Sequence, residues 1–163
     1  MNEGHVKRTC GSCTKCCEGW ITGEVHGRPM RPLAPCIHCT NTGCAIYESR
    51  PYDPCRSFNC AWVRPNSPLP DDFRPDKCGA IVVIGRAWKG KPVIYAMAAA
   101  EKIPEATLNR LKQVSRRTGC PLLYNTHIVE DGKLVMTTAT GFGPPDFVQL
   151  VEQHMKPGQA INF

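Results

Sequence analysis

No stretch of this chain approaches the roughly 18 consecutive apolar residues that cross a bilayer, so no membrane-spanning helix is expected. The segment from Met1 to Arg8 lacks the apolar core of a secretory signal, which makes a cytoplasmic location the expectation. Several signatures of catalysis are missing as well. There is no GxGxxG following a strand, no phosphate-binding Walker loop and no HExxH pair. The CxxxCxxC spacing of radical S-adenosylmethionine enzymes is also absent. No internal repeat, low-complexity tail or long linker interrupts the chain, and residues 1–163 read as a single domain. The formal charge of +6 does not argue for nucleic acid, because the cations are scattered. Their one small group, Arg110, Lys112, Arg116 and Arg117, reads as the solvated face of a helix.

What the chain has in excess is cysteine. Nine of its eleven cysteines fall between Cys10 and Cys60, and only Cys78 and Cys120 lie beyond. In a reducing compartment a dense, patterned cluster points to metal binding or catalysis rather than to disulfides, and the odd count fits complete pairing poorly. Proline is crowded into the same part of the chain, from Pro29 to Pro75, so this half should consist of loops and short helical turns. Such a segment cannot easily offset its ordering entropy by burial, and metal–thiolate bonds are one source of the missing free energy. Region 10–62 is therefore read as a metal-binding unit. Residues Arg64 to Pro75 form a connector.

Region 76–158 looks conventional. Ala80–Ile84 is a β-branched strand ended by Gly85, and Pro92–Met97 a second, with Trp88-Lys89-Gly90-Lys91 turning between them. Pro104 and Glu105 open a helix whose apolar stripe is Leu108, Leu111 and Val114 and which Gly119 stops. A second hairpin runs from Leu122 to Val129, turns at Glu130-Asp131-Gly132-Lys133 and returns over Leu134–Thr138. Gly141 to Pro145 reads as a turn, and a poor phosphate loop, before a last helix carrying Phe147, Leu150, Val151 and Met155. The expected class is α+β: a loop-rich cysteine half packed on a small antiparallel sheet, in the order β-β-α-β-β-α, with the helices on one face.

The candidate ligands lie in two groups. Cys10-Gly-Ser-Cys13-Thr-Lys-Cys16-Cys17 places thiolates two residues apart, a spacing that lets neighbours grip one ion through bonds of about 2.3 Å or three irons of a cubane cluster. Adjacent side chains often diverge, so one member of the Cys16–Cys17 doublet either serves a second centre or remains a free thiol. Gly11 and Ser12 are small enough to let backbone amides approach the sulfurs. The second group is Cys36-Ile-His-Cys39, then Cys44, Cys55 and Cys60, with a helical turn expected between Cys44 and Cys55. His38 is either a further ligand or filler, and Arg50 either faces the thiolates or sits in a surface turn. Cys78 and Cys120 read as buried free thiols, and Trp20, Trp62 and Trp88 as core or cluster cover.

Together, Cys10-x2-Cys13-x2-Cys16-Cys17, Gly43-Cys44-Ala-Ile-Tyr47-Glu-Ser-Arg50-Pro51 and Cys55-Arg56-Ser-Phe58 resemble the CxxCxxCC, or YkgJ-like, family of zinc- or iron-chelating domains. That family is similar to the cysteine-rich part of flagellin lysine N-methylases. The resemblance covers residues 10–62 and implies an iron–sulfur centre taking part in methyl transfer from S-adenosylmethionine to protein lysine. The chain departs from the pattern in its extra Cys36, Cys39 and Cys60 and in its sheet half. All-thiolate ligation suits a [4Fe–4S] cluster or zinc and disfavours magnesium, calcium or manganese. The expected function is thus a cysteine-ligated metal protein, redox-active or methyl-transferring, with a closed structural zinc site in a binding module as the alternative. Its expected partner is a protein or small molecule.

Overall fold

The computed structural model describes residues 7–58 and 60–154. Met155, expected in the last helix, and Met1 to Val6 lie outside the described residues. The chain is α+β, as its pattern predicts.

The cysteine half is built from turns and very short pairings. A helical turn at Cys16–Trp20 leads into the hairpin β1 (Gly23–Val25) and β2 (Arg28–Met30). A second hairpin, β3 (Cys39–Thr40) and β4 (Gly43–Cys44), sets Cys39 directly opposite Cys44. Turns at Tyr47–Ser49 and Tyr52–Arg56 follow, the first being the helical turn expected after Cys44. The connector is more than a linker: Phe73 is buried, and Arg8 holds the Trp62 and Leu69 carbonyls and the Asp71 carboxylate. It ends in the short helix α1 (Pro75–Cys78).

Four strands form the main sheet in the order β5 (Ala80–Trp88), β6 (Lys91–Ala98), β7 (Leu122–Glu130) and β8 (Lys133–Phe142). Helix α2 (Glu105–Thr118) joins β6 to β7, and α3 (Pro145–His154) closes the chain. The order β-β-α-β-β-α is the expected one. Its hairpins are antiparallel, but the middle pair β6 and β7 is parallel. A helical crossover returns the chain to the starting end of the sheet, and a strand laid beside its predecessor from there runs the same way. Two strand ends also differ from expectation. Gly85 sits in a bulge between Ile84 and Ala87 and does not end β5. Gly141 belongs to β8 and not to a turn, because α3 presses against it: a Cβ there would lie 2.9 Å from Val151 Cγ2.

The helices lie on opposite faces, not on one. Ile94, Ala96 and Leu122 share the face that holds Leu111 of α2, where Lys112 and Arg116 lie over the rings of Tyr124 and Phe142. The alternate residues Val93 and Leu123 pack with Phe147 and Val151 of α3. On that second face His127 meets Trp20 of the cysteine half, ring centroids 5.3 Å apart. The physical reason is visible in β5 and β6, whose apolar residues run consecutively and not in alternation; such strands need cover on both sides.

His127 supplies a pH-sensitive joint between the halves. Its Nδ1 is 2.9 Å from Thr137 Oγ1, and burial lowers its pKa below the ordinary histidine value. A base with a depressed folded-state pKa contributes stability that is fully present above its unfolded value, about 6.5, and lost as pH falls below it. The melting temperature should therefore drop on acidification through that window. His127→Leu should flatten this part of the profile; an unchanged slope would show that other groups set it.

Candidate metal centre

Eight of the nine clustered cysteines, namely Cys10, Cys13, Cys16, Cys17, Cys36, Cys44, Cys55 and Cys60, line one cavity of about 330 Å³. Cys39 stands off its wall, across the β3–β4 ladder from Cys44. All eleven cysteines are free thiols. Among the described residues no group of three or more His, Cys, Asp or Glu side chains is arranged to hold a metal ion as it stands. The thiols ring the cavity without closing on a point.

Local backbone bonds explain how the loops bring them there. The Cys13 amide donates to the Cys10 carbonyl at 2.9 Å, and the Cys39 amide to the Cys36 carbonyl at 2.9 Å, so Cys10–Cys13 and Cys36–Cys39 each form one tight turn. The Cys36 amide donates to the Cys17 carbonyl at 2.8 Å, fastening the second group to the first. Cys60 is fixed from the other side, since the next residue, Ala61, donates to the Val82 carbonyl of β5. Glu18 braces the Cys16–Trp20 turn by accepting from Thr14, Lys15 and Trp20 Nε1. Burial pushes its pKa up, but those donors and the Lys15 charge prevail and hold it below the ordinary carboxylate value.

Backbone amides point at sulfur. The His38 amide donates to Cys36 Sγ at 3.5 Å. Lys15 and Asp76 supply amides to Cys13, and Trp62 and Val63 to Cys60. In three cases the donor sits two residues after the cysteine, a regularity the sequence already carried. Such bonds favour the thiolate and orient it.

Burial makes the charged form of these thiols expensive. Burial pushes Cys16 well above the ordinary thiol value, and the charges of Cys60, Cys10, Cys13 and then Cys17 add to it. Burial also pushes Cys17 up to about 12, reinforced by Cys44, Cys39, Cys36 and Cys55. Cys13, Cys39, Cys55 and Cys60 are raised in the same way, burial first. A bound cation would attract each thiolate and so offset both the burial cost and these repulsions.

Arg50 satisfies both expectations for it. Its guanidinium sits 3.7 Å from the Tyr47 ring centroid and donates to the Tyr47 carbonyl, while its charge lowers the Cys55 pKa against burial and the neighbouring thiols. His38 is not on the wall. It meets His26, Nε2 to Nδ1 3.0 Å, at the surface. Of the tryptophans, Trp62 lines the cavity, Trp20 bonds Glu18, and Trp88 packs edge-on against Phe147. Cys78 is buried and bonds the Phe73 and Ala80 carbonyls, and Cys120 is half-buried beside α2; neither lines the cavity.

Sequence reasoning passed over the apolar part of the wall, Ile21, Val25, Met30 and Val63. Trp62 Nε1 is buried with no hydrogen-bond partner among the described residues. No family model matches the chain, and no curated protein or solved structure matches it.

Proposed function

We propose that this chain is a cysteine-ligated metal protein that holds an iron–sulfur cluster, zinc or both in the thiol-lined cavity. The observation that carries this reading is the convergence of eight free thiols from separate turns on one cavity. Buried thiols with raised pKa values are poor nucleophiles and poor redox groups by themselves. They become strong ligands once a cation lowers the cost of ionising them, with protons released on binding.

The residues fit such a guest. Sulfur donors select zinc and iron–sulfur over oxygen-loving cations. Trp62, whose buried N–H has no hydrogen-bond partner among the described residues, lines the same cavity. A lone tetrahedral zinc draws four thiolates to about 2.3 Å and needs no cavity of this size, so the volume favours a polynuclear centre. When bound, an iron–sulfur cluster supplies one-electron chemistry. The protein's part is to orient the thiolates, exclude water with its apolar wall and offset anionic charge with Arg50. Methyl transfer, implied by the motif resemblance, would require S-adenosylmethionine to bind the loaded protein, which equilibrium dialysis tests directly.

Anaerobic purification with metal and acid-labile sulfide analysis decides the matter. A brown protein containing iron and sulfide supports the cluster, and a colourless one with stoichiometric zinc supports the structural-site form. A chain that takes up neither, even after reconstitution, ends the reading. Cys13→Ser should lose metal, whereas Cys120→Ser, off the cavity wall, should retain all of it.

A further inference from the structure

Of the nine clustered cysteines, Cys39 is the one the cavity leaves over. Yet the β3–β4 register sets it directly across from Cys44, which is on the wall. Opposite residues of an antiparallel pair project from the same face of the ladder. The hydrogen bonds define which kind of pair this is. The Ala45 amide donates to the His38 carbonyl at 2.9 Å, one step outside it. Bonded and non-bonded pairs alternate along such a ladder, so Cys39 and Cys44 form a non-hydrogen-bonded pair. That kind has the closer side chains, with about 4.5 Å between Cα atoms. The spacing falls within the range a disulfide spans, about 4.4–6.8 Å. Local bonds hold the hairpin in register: Thr40 Oγ1 donates to the Gly43 carbonyl at 2.7 Å, and the Cys39 amide to the Cys36 carbonyl at 2.9 Å. Cys36, nearest to Cys39 in sequence, is buried, and its sulfur accepts from the His38 amide.

We propose that Cys39 and Cys44 close a reversible cross-strand disulfide when the chain meets a peroxide. One thiol attacks the peroxide, forming an S–O bond as the O–O bond breaks, and its proton leaves in the first water. The other attacks the resulting sulfenic sulfur, forming the S–S bond as the S–O bond breaks and a second water departs. The two sulfurs are oxidised and the two peroxide oxygens reduced. Both thiols are half-buried, which slows the first attack, so exposure must be prolonged. Closure withdraws Cys44 from the donors of the cavity. Resting on the metal-binding reading above, it makes retention of the metal sensitive to oxidant. Cys39 is then the thiol that takes a ligand away.

The test exposes the full chain, loaded anaerobically with zinc or with iron and sulfide, to hydrogen peroxide. Free thiols are then alkylated and disulfides mapped by mass spectrometry. The first disulfide formed should join Cys39 to Cys44, and dithiothreitol should return both thiols. A first disulfide between Cys36 and Cys39 or any other pair overturns the proposal. So does a Cys39 still open to alkylation once other thiols have oxidised. Metal per chain is followed in the same samples. Its release should keep pace with the disulfide, and Cys39→Ser should release it several-fold more slowly than the wild-type chain. Equal rates would overturn the withdrawal of Cys44. A chain that takes up neither guest overturns the functional reading, while its disulfide map still decides the pairing.

Discussion

On the proposed metal-binding function, Gly19→Ala is expected to strip most of the bound metal while leaving every cysteine in place. Gly19 follows the doublet with φ of 91°, and a Cβ built there would lie 2.0 Å from the Arg31 carbonyl oxygen. That contact is with backbone, so no rotamer change relieves it, and the positive φ adds strain to any side chain. The turn carrying Cys16 and Cys17 must move away from the β2 loop, and the thiols move with it. Overpacking of this kind costs about 3 kcal/mol, and the loss of converging ligands should exceed that in its effect on metal content. Gly27→Ala is the control: its φ of 75° is also positive, but a Cβ there meets nothing within 4 Å. It should cost about 1 kcal/mol and keep its metal. Metal analysis with a denaturant midpoint measures both, and a fully loaded Gly19→Ala chain would show that this close approach does not position the ligands.

Phe147→Ala should have the largest effect on the sheet half, about 3–5 kcal/mol. The ring is fully buried among Val93, Leu123 and Val151 and meets Trp88 at 5.4 Å between centroids. This cluster is small, so no neighbour can collapse into the void. The metal content of the folded fraction should stay at the wild-type level, because none of these residues lines the cavity. Chemical unfolding gives the stability change. A loss below about 1 kcal/mol, the range of ordinary surface changes and mild repacking, would mean that α3 is not held by this ring.

The sheet half was largely readable because its rules are local. Strand, helix and turn signals from Ala80 onward depend on spacing and on Gly and Pro, and they place β5 to β8, α2 and α3 within a few residues. The errors share one cause. The parallel joint of β6 with β7, the split of the helices between two faces, and the strand role of Gly141 each depend on what lies across the sheet. The uninterrupted apolar run Ala80–Ile84 did carry the warning, since one-sided burial calls for alternation. In the cysteine half, motif spacing marked the candidate ligands but not their grouping. Loops of this kind have no period from which to deduce direction, so neither the opposition of Cys39 to Cys44 nor the separate anchoring of Cys60 was visible.

By itself the sequence determined which donors are available: nine thiols in a loop-rich half, followed by a sheet half. Composition settles this because ligand chemistry belongs to residue type and needs no geometry. Only the tertiary structure decided which eight sulfurs line one cavity, that Cys39 stands off it, and that Trp62 joins its wall. Those relations arise between residues far apart in the chain. They exist only once burial of the shared core has fixed both halves against each other.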